Sequence, residues 1–265
     1  MDIGWNLVPR TSAMEMRMAA YEALAGIYDA LMDDVDYDGW AEYYLNLITR
    51  PGLDVRHVCD CACGTGAMSV RLAERGLRVT GVDLSPQMLE RAQQKARLSG
   101  VQAMFVCQDI CRLALPRPAD ALICACDGVN YLLDDARLNA FFASARQALK
   151  PGGALAFDIS SPWKLENVLG NAFYGEERDE AAYLWNNRWD AQARTVTMDI
   201  TFFLREREDL YRRCVEIHVQ KAHEPDHLAA LLVENGFTDI RVYGDRTFDP
   251  PRPQETRIHF SARRE

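Results

Sequence analysis

A glycine-rich turn directly after a short apolar run is the feature that most constrains the fold of this chain. Residues 58–66 are VCDCACGTG, and a second apolar run ends at Asp83. Together they predict a strand, a tight turn, a helix, a second strand and a carboxylate at its tip. This order is typical of the nucleotide-binding half of a doubly wound α/β fold, in which the carboxylate binds ribose hydroxyls. The sequence therefore predicts a nucleotide site and leaves open which adenosine cofactor it takes.

Strand and helix patterns alternate after this turn. The predicted strands are 58–60, 77–82, 102–107, 119–126 and 154–159, and the predicted helices between them are 67–75, 85–98 and 134–149. Strands that alternate with helices form a parallel sheet with right-handed crossovers. A helix at 225–235 and two strands at 239–244 and 256–262 complete the predicted core.

The alternation of strand and helix stops between about residues 163 and 222. A helix-like piece and an acidic loop at 176–180 precede three β-type runs at 183–189, 195–205 and 210–221. Polar and apolar residues alternate along the second run, which indicates a half-buried antiparallel strand. We therefore divide the chain into three parts. They are an N-terminal helical cap (1–52), a core (53–162 and 223–265) and an antiparallel β insertion (163–222) that covers the site.

Composition and charge disfavour several classes of protein. The 30 basic and 39 acidic residues give a formal net charge of −9, and the basic residues are spread along the chain, so a nucleic-acid partner is disfavoured. No apolar run reaches the roughly 18–20 residues of a membrane span, and the N-terminus lacks the pattern of a secretory signal. We expect a cytoplasmic monomer or homodimer that acts on a small molecule and has no membrane partner.

The eight cysteines do not predict disulfides or a metal site. Neither the run at 59–63 nor the pair Cys124 and Cys126 has C-x-x-C spacing. His223 and His227 stand four residues apart near a predicted helix start, but the H-E-x-x-H pattern is absent. We expect the cysteines to be small buried residues in a reducing compartment, and we predict no metal.

The glycine-rich turn differs from a dinucleotide site in two ways. Ser69 stands where G-x-G-x-x-G has the third glycine that lets the helix pack close. Asp60 lies four residues before the first glycine, and a carboxylate there disfavours a pyrophosphate and favours a cationic ligand. S-adenosylmethionine has that character, because it carries a sulfonium, an ammonium and one carboxylate, with no phosphate.

Four motifs in order resemble those of the class I S-adenosylmethionine-dependent methyltransferases. Residues 60–66 resemble motif I, Asp83 the acid after the second strand, residues 108–110 (QDI) the acid after the third, and residues 149–153 (LKPGG) the turn before the fifth. Residues at 28–29, 36–40, 157–165, 211–213 and 243–248 resemble the YqeM-like bacterial group. The resemblance implies a mostly parallel seven-stranded Rossmann-like sheet with the last strand antiparallel, and a β insertion over the substrate.

The resemblance also implies which residues bind the cofactor. In this assignment Asp60 and the backbone of the turn bind the methionine ammonium, and Asp83 accepts both ribose hydroxyls, since a charged acceptor strengthens each bond. Leu84 and Met88 line the adenine, Asp109 accepts a hydrogen bond from its exocyclic amine, and the Ile110 amide donates one to its ring nitrogen. The full set is Tyr28, Asp60, Ala62, Cys63, Gly64, Gly66, Asp83, Leu84, Met88, Gln108, Asp109, Ile110 and Cys126.

Methyl transfer from a sulfonium needs alignment of the two reactants and exclusion of water, and it needs a general base only if the acceptor loses a proton. Asp127 and Tyr131 are the candidate catalytic residues, with His218, His223 and His227 as further candidates for the base. The N/D-P-P-Y/F signature of amino methylation is missing after the fourth strand, where residues 127–131 are DGVNY. We therefore predict a small-molecule acceptor that is methylated at O, N or C.

Three other functions stay open from the sequence alone. An oxidoreductase of the NAD/FAD type is disfavoured by Ser69 and Asp60. An RNA-directed methyltransferase is disfavoured by the distributed charge. A non-catalytic module that binds the cofactor or a partner protein would keep the same motifs.

Overall fold

Helices and strands follow one another in nearly the order that the sequence predicts. The computed structural model describes residue 29 and residues 35–49, 52–179 and 181–265. In these ranges the α-helices are α1 (Tyr37–Thr49), α2 (Ala67–Glu74), α3 (Pro86–Leu98), α4 (Asp135–Ala148) and α5 (Pro225–Glu234). The strands are β1 (His57–Cys61), β2 (Arg78–Asp83), β3 (Ala103–Cys107), β4 (Ala119–Cys124), β5 (Leu149–Ser160), β6 (Phe173–Glu177), β7 (Ala181–Asp190), β8 (Thr195–Arg207), β9 (Leu210–Lys221), β10 (Phe237–Tyr243) and β11 (Arg257–Arg264). There are also 3₁₀-helices at Ile110–Arg112 and Gly128–Tyr131 and a π-helix at Lys164–Leu169.

Seven strands form the central sheet, in the order β10-β11-β5-β4-β1-β2-β3. The pairs β1–β2, β1–β4, β2–β3 and β4–β5 are parallel, whereas β11 is antiparallel to both of its neighbours. A parallel pair needs a crossover connection, usually a helix, and α2, α3 and α4 fill that place in the chain. The predicted doubly wound, mostly parallel Rossmann-like sheet with an antiparallel last strand is confirmed.

Local sequence explains why helices follow the first two strands. Gly66 precedes α2 with φ +74°, and a Cβ built on it would lie 2.8 Å from the Ala92 Cβ of α3, so only glycine fits there. Ser85 caps α3 by accepting a hydrogen bond from the Met88 amide at 3.2 Å, and Pro86 occupies the first turn. Both helices therefore begin at the carboxyl edge of the sheet.

Two hydrophobic clusters join the helices to the sheet. One includes Phe141 of α4 and Leu228 of α5, and the other includes Ile48 of α1. Along β1, Cys59 belongs to the first cluster and Val58 to the second, because successive side chains of a strand point to opposite faces. The core thus lies on both faces of the central sheet.

The β insertion has four strands, whereas the sequence predicts three. Its sheet has the order β6-β7-β8-β9. The prediction of an acidic loop at 176–180 is wrong for its first two residues, because Phe173–Glu177 forms the edge strand β6. Charged side chains are tolerated on an edge strand, which has solvent along one side, and the Tyr183 hydroxyl of β7 donates a hydrogen bond to Glu176 at 3.1 Å.

Two further predictions need correction. The fifth strand begins at Leu149, five residues earlier than expected, because the LKPGG turn continues the pairing with β4 through an irregular register. The eight cysteines are all free, but not all are buried as expected, because Cys107 is exposed and Cys63, Cys126 and Cys214 are only partly buried. Most of the predicted helical cap, including Tyr28, lies outside the described residues. No helix of the described ranges is long and apolar enough to cross a membrane.

We expect Phe157→Ala to destabilise the fold. Phe157 is fully buried and stacks on Phe260 with a centroid distance of 4.6 Å, so truncation leaves a cavity in the core. The free energy of unfolding should fall by about 3–5 kcal/mol. Denaturant titration measures it, with Leu98→Ala at an 82% exposed position as the control. A loss as small as that of the control would contradict the packing described here.

Candidate active site

The turn after β1 presents bare backbone to an open side. Ala62 has φ +54° and Gly64 has φ +53°, so both adopt the left-handed conformation. A Cβ built on Gly64 would meet no atom of the described chain within 4 Å. Left-handed backbone at a non-glycine residue such as Ala62 costs free energy and clusters at functional sites. The open space beside Gly64 is therefore suited to a ligand that approaches the main chain.

Asp83 joins the tip of β2 to this turn. Its Oδ2 accepts a hydrogen bond from the Gly64 amide at 2.8 Å, and its Oδ1 accepts one from the Ser85 amide at 2.9 Å. Burial raises the pKa of Asp83, and these amide hydrogen bonds oppose the rise. Since each carboxylate oxygen can accept more than one hydrogen bond, Asp83 still has acceptor capacity for ribose hydroxyls.

Asp60 is a second carboxylate beneath the same turn. It is 1% exposed, and its Oδ2 accepts a hydrogen bond from the Ser69 hydroxyl at 2.6 Å. Burial raises the pKa of Asp60 to about 7, and the negative charge of Asp83 contributes to the rise. Across the described ranges, no lysine, arginine or histidine nitrogen lies within 4.0 Å of either carboxylate. Asp60 is therefore partly protonated near pH 7, and a cationic ligand beside the turn would favour its ionised form.

Ser69 replaces the third glycine of the dinucleotide pattern and has a role of its own. Its hydroxyl is the hydrogen-bond donor that Asp60 needs in a buried position. The sequence showed the missing glycine but not this contact. A serine in the first turns of α2, nine residues after an acid at the end of a strand, is the signal that could have predicted it.

The residues after β3 are largely engaged with the protein itself. Asp109 accepts a hydrogen bond from the Cys111 amide at 2.9 Å and pairs with Arg137 at 2.9 Å. Burial opposes ionisation of Asp109, but the Cys111 amide and Arg137 outweigh it, and its pKa is lowered. The Gln108 side chain exchanges two hydrogen bonds with the backbone of Ala114. A role for Asp109 or for the Ile110 amide in adenine binding stays a prediction.

The two apolar residues predicted to line the adenine differ in exposure. Leu84 is 59% exposed at the edge of the turn, whereas Met88 is 2% exposed and packs within the protein. Leu84 is thus accessible to a ligand, and a contact between the ligand and Met88 stays a prediction. Cys63, also in the predicted set, donates its amide to Val82 at 3.0 Å and fixes the turn to β2.

A contact that sequence analysis missed anchors the turn from the N-terminal side. Asp29 accepts a hydrogen bond from the Thr65 hydroxyl at 2.7 Å and pairs with Lys95 of α3 at 2.7 Å. Asp29 follows Tyr28, which lies outside the described residues. The Tyr-Asp pair at 28–29 was the signal in the sequence that could have predicted this contact, because an acid next to a predicted cofactor residue can hydrogen-bond to the glycine-rich turn.

The end of β4 forms a second strained turn beside the first. Cys126 and Asp127 both have left-handed backbone, with φ +59° and +56°. Asp158 of β5 holds this turn by accepting hydrogen bonds from the Cys126 amide at 2.7 Å and from the Asp127 amide at 3.0 Å. Since β1 and β4 are neighbours in the sheet, a Cβ on Gly128 would lie 3.2 Å from the Ala62 Cβ. The two turns therefore form one continuous edge.

Asp127 is an ion-paired carboxylate. It pairs with Arg257 at 3.0 Å and accepts a hydrogen bond from Gln220 at 2.6 Å. Burial opposes its ionisation, but the charges of Arg257 and Lys164 and the Gln220 hydrogen bond outweigh burial and lower its pKa. A carboxylate whose pKa is lowered is a weak base, so this geometry disfavours the hypothesis that Asp127 is a general base.

Asp158 and its partners were not predicted as site residues. Asp158 is fully buried, accepts a hydrogen bond from the Tyr44 hydroxyl of α1 at 2.5 Å and pairs with Arg257 of β11. The Arg257 guanidinium also lies over the Trp40 ring at 5.0 Å. An acid within the apolar run of the fifth strand was the signal for this network.

Tyr131, the second catalytic candidate, lies next to the β insertion. Its hydroxyl is 3.3 Å from His218 Nδ1, and His218 Nε2 is 3.2 Å from Glu216 Oε2. The other two histidine candidates lie apart from this group. His227 contacts Asp135 at 2.9 Å on an exposed surface, and burial lowers the pKa of His223 to about 4. In the described ranges no group of histidine, cysteine and acidic side chains is arranged to bind a metal ion.

Comparison with known proteins identifies the family. A family described as a methyltransferase domain matches residues 58–153. YqeM of Bacillus subtilis (strain 168), which is named a methyltransferase, is 33% identical over 245 residues, covering 92% of this chain and 97% of YqeM. The chain belongs to the YqeM-like methyltransferases.

Solved structures agree with this family. A crystal structure of an S-adenosylmethionine-dependent methyltransferase from Clostridium acetobutylicum ATCC 824 is 31% identical, has a TM-score of 0.83, and covers 92% of this chain and 98% of its own. CalS10, an amino pentose methyltransferase from Micromonospora echinaspora, has the same fold at 22% identity and a TM-score of 0.71, covering 90% of this chain and 97% of its own. The methyltransferase is thus a class I enzyme that uses S-adenosylmethionine, as predicted, and the oxidoreductase alternative is wrong.

The residues of this methyltransferase fit a cationic nucleoside. The open space at Gly64 admits a ligand to the backbone, Asp60 and Asp83 supply carboxyl groups whose ionised form a cation would stabilise, and Leu84 supplies exposed apolar surface. When bound, S-adenosylmethionine supplies an electrophilic methyl group on a sulfonium. The assignment of individual side chains to its ammonium, ribose and adenine stays a prediction.

We expect the stability of the ligand-free methyltransferase to fall between pH 4 and pH 7, in part because of Asp60. The pKa of Asp60 is raised to about 7 in the folded protein, so within this window the folded state holds a proton that the unfolded chain has lost. Asp60→Asn removes this contribution and should flatten the dependence by up to about 1.4 kcal/mol per pH unit. Urea titrations at several pH values measure it.

Asp226→Asn, at an exposed position of α5, is the matched control. It should leave the pH dependence of the free energy of unfolding unchanged. Equal pH dependence in the wild-type protein and in the Asp60→Asn variant would argue against a buried carboxylate with a raised pKa.

Proposed function

We propose that this methyltransferase transfers the methyl group of S-adenosylmethionine to a small polar molecule. The observation that supports a small acceptor is the placement of β9 at the carboxyl edge of β4 and β5. The Asn130 side-chain amide donates hydrogen bonds to the Lys221 carbonyl at 2.9 Å and to the Ser160 carbonyl at 3.0 Å, which fixes the insertion to both strands. An edge covered in this way favours a compact acceptor over a polymer.

The chemistry of the covered edge supports a polar acceptor. Asp127 of the core contacts Gln220 of β9, and Tyr131 of the core contacts His218 of β9. The contact between the core and the insertion therefore contains hydrogen-bonding groups. CalS10, which shares the fold, is named as an amino pentose methyltransferase, and a polar acceptor of comparable size is consistent with that likeness. An RNA acceptor is disfavoured by the net charge of −9.

In this proposal the cofactor-binding residues act as the motifs imply. Asp60 attracts the methionine ammonium, Asp83 accepts hydrogen bonds from the ribose hydroxyls, and the backbone at Gly64 and Gly66 contacts the ligand closely. Leu84 covers the adenine. Cytoplasmic location, and a monomeric or homodimeric state, stay predictions of the sequence.

The acceptor class can be tested with methyl-labelled S-adenosylmethionine in a cell extract that contains the wild-type enzyme. We expect label in the small-molecule fraction. Label confined to RNA or to protein would contradict the proposal. Binding of S-adenosylmethionine without label transfer to any fraction would favour the non-catalytic module instead.

We expect Asp83→Ala to weaken S-adenosylmethionine binding by about 2–3 kcal/mol, since two charge-assisted hydrogen bonds are lost. Isothermal titration with the cofactor and with its demethylated product measures the change. Because Asp83 also accepts a hydrogen bond from the Gly64 amide, urea unfolding must show that the variant is folded. The control is Asp54→Asn, a 74% exposed acid. An unchanged dissociation constant in a folded Asp83→Ala protein would refute the assigned role.

A further inference from the structure

Strand β9 turns its polar side chains inward and its apolar side chains outward. Glu216, His218 and Gln220 are 3–4% exposed, whereas Val215 and Ile217 on the other face are 48% and 37% exposed. Burial of polar groups costs free energy unless hydrogen bonds satisfy them, so hydrophobic packing alone would favour the reverse orientation. The inward face of β9 therefore serves a purpose other than core formation.

Each inward polar side chain has a partner at the end of β4 or on β9 itself. Gln220 donates a hydrogen bond to Asp127, and His218 contacts Tyr131 through Nδ1 and Glu216 through Nε2, at 3.3 Å and 3.2 Å. The Tyr131 and His218 rings meet edge to face with centroids 6.0 Å apart. Glu216 and His218 of β9 thus join Tyr131 of the core in a chain of carboxylate, imidazole and phenol, which we call the β9 relay (Glu216, His218 and Tyr131).

The β9 relay has one direction of hydrogen bonding when Glu216 is ionised. An ionised Glu216 can only accept, so in that state His218 Nε2 carries the hydrogen that it donates to Glu216. His218 Nδ1 then presents its lone pair to the Tyr131 hydroxyl, which donates to it. The imidazole is therefore oriented to receive a proton from Tyr131, and the carboxylate stabilises the imidazolium that results.

We propose that Tyr131, supported by His218 and Glu216, is the general base of this methyltransferase, and that its acceptor is a hydroxyl or a protonated amine. Tyr131 is the catalytic residue in this proposal, and His218 and Glu216 are positioning residues that act through it. The inference rests on the proposed function. It adds to that function the class of nucleophile: one that loses a proton on methylation, unlike a thioether or a tertiary amine.

The proton transfers balance without a further reactant. Methylation forms a bond from the acceptor heteroatom to the methyl carbon and breaks the carbon–sulfur bond, whose electron pair stays on sulfur. A hydroxyl can give up its proton as the new bond forms, whereas an ammonium must give it up first, because its nitrogen otherwise has no lone pair. In both cases the proton moves to Tyr131 Oη as the proton of Tyr131 moves to His218 Nδ1. His218 then carries one positive charge beside Glu216 and returns the proton to water after product release.

Other groups at this edge are less suited to the task. Asp127 is held ionised by Arg257 and Gln220, which makes it a weak base. Burial and the charge of Asp158 raise the pKa of the Cys126 thiol, so a thiolate is disfavoured there. Tyr131 is only partly buried and lies in the 3₁₀-helix at the carboxyl edge of β4.

The first test needs no acceptor and no variant. Imidazole ¹⁵N shifts of the wild-type enzyme, saturated with the demethylated cofactor product, report the tautomer of His218. We expect hydrogen on Nε2 and a free lone pair on Nδ1. Hydrogen on Nδ1 of a neutral ring would overturn the relay, because His218 could not then receive a proton from Tyr131.

The second test measures the reactivity of Tyr131 in the same product complex. An arylsulfonyl fluoride modifies tyrosine hydroxyls through the phenolate, and mass spectrometry gives the rate at Tyr131. His218→Asn keeps a hydrogen-bond acceptor near Nδ1 but cannot take the proton. We expect it, and Glu216→Gln, to slow modification roughly tenfold, the effect of one unit in the pKa of the phenol. Ile217→Val, on the outer face of β9, is the matched control.

Unchanged modification rates in both variants would overturn the relay and leave His218 and Glu216 as structural residues. The same samples are titrated with S-adenosylmethionine. Unchanged affinity together with slowed modification supports the relay. If the wild-type protein does not bind the cofactor, the proposed function itself is overturned, so failure of the relay and failure of the proposed function give different results.

For an acceptor found by label transfer, Tyr131→Phe should lower kcat at least about 100-fold with little change in KM.

Discussion

Two carboxylates beneath one bare turn determine what this site can bind. Asp60 is buried with Ser69 as its hydrogen-bond donor, and Asp83 is held by the amides of Gly64 and Ser85. Without a basic partner in the described part of the chain, this pair repels a diphosphate and favours a positively charged nucleoside. The left-handed backbone at Ala62 and Gly64 is compatible with that ligand, because it leaves the main chain accessible. We propose that charge and backbone geometry at this strand end set the cofactor preference of this chain.

A second strained turn lies at the same edge of the sheet, where we propose that the acceptor reacts. Asp158 holds the amides of Cys126 and Asp127 and is itself held by Tyr44 and Arg257, so helix α1 and strands β5 and β11 all fix the end of β4. In this network the single guanidinium of Arg257 pairs with both carboxylates, those of Asp127 and Asp158. It positions the 3₁₀-helix that follows without supplying a base of its own. The insertion strand β9 then brings polar side chains to that helix.

Sequence analysis predicted the structural features that depend on residues close together in the chain, and it missed the contacts between residues far apart in the chain. The turn at 60–66, the acid at 83 and the cap at Ser85 are local, because each strand end and its following helix lie within a few residues. The Asp158–Arg257 pair joins positions 99 residues apart, and no periodicity reports such a contact. The acidic loop predicted at 176–180 overlaps the end of edge strand β6, since charge tolerated at a sheet edge resembles the composition of a loop.

The central claim is that negative charge at the turn after β1 selects a cationic nucleoside over a phosphorylated one. The most direct measurement is calorimetric titration of the folded wild-type protein with S-adenosylmethionine and, separately, with NAD at the same pH and salt concentration. The account predicts that S-adenosylmethionine binds at least about 100-fold more tightly, a difference of about 2.7 kcal/mol. Binding of NAD with equal or higher affinity would contradict it.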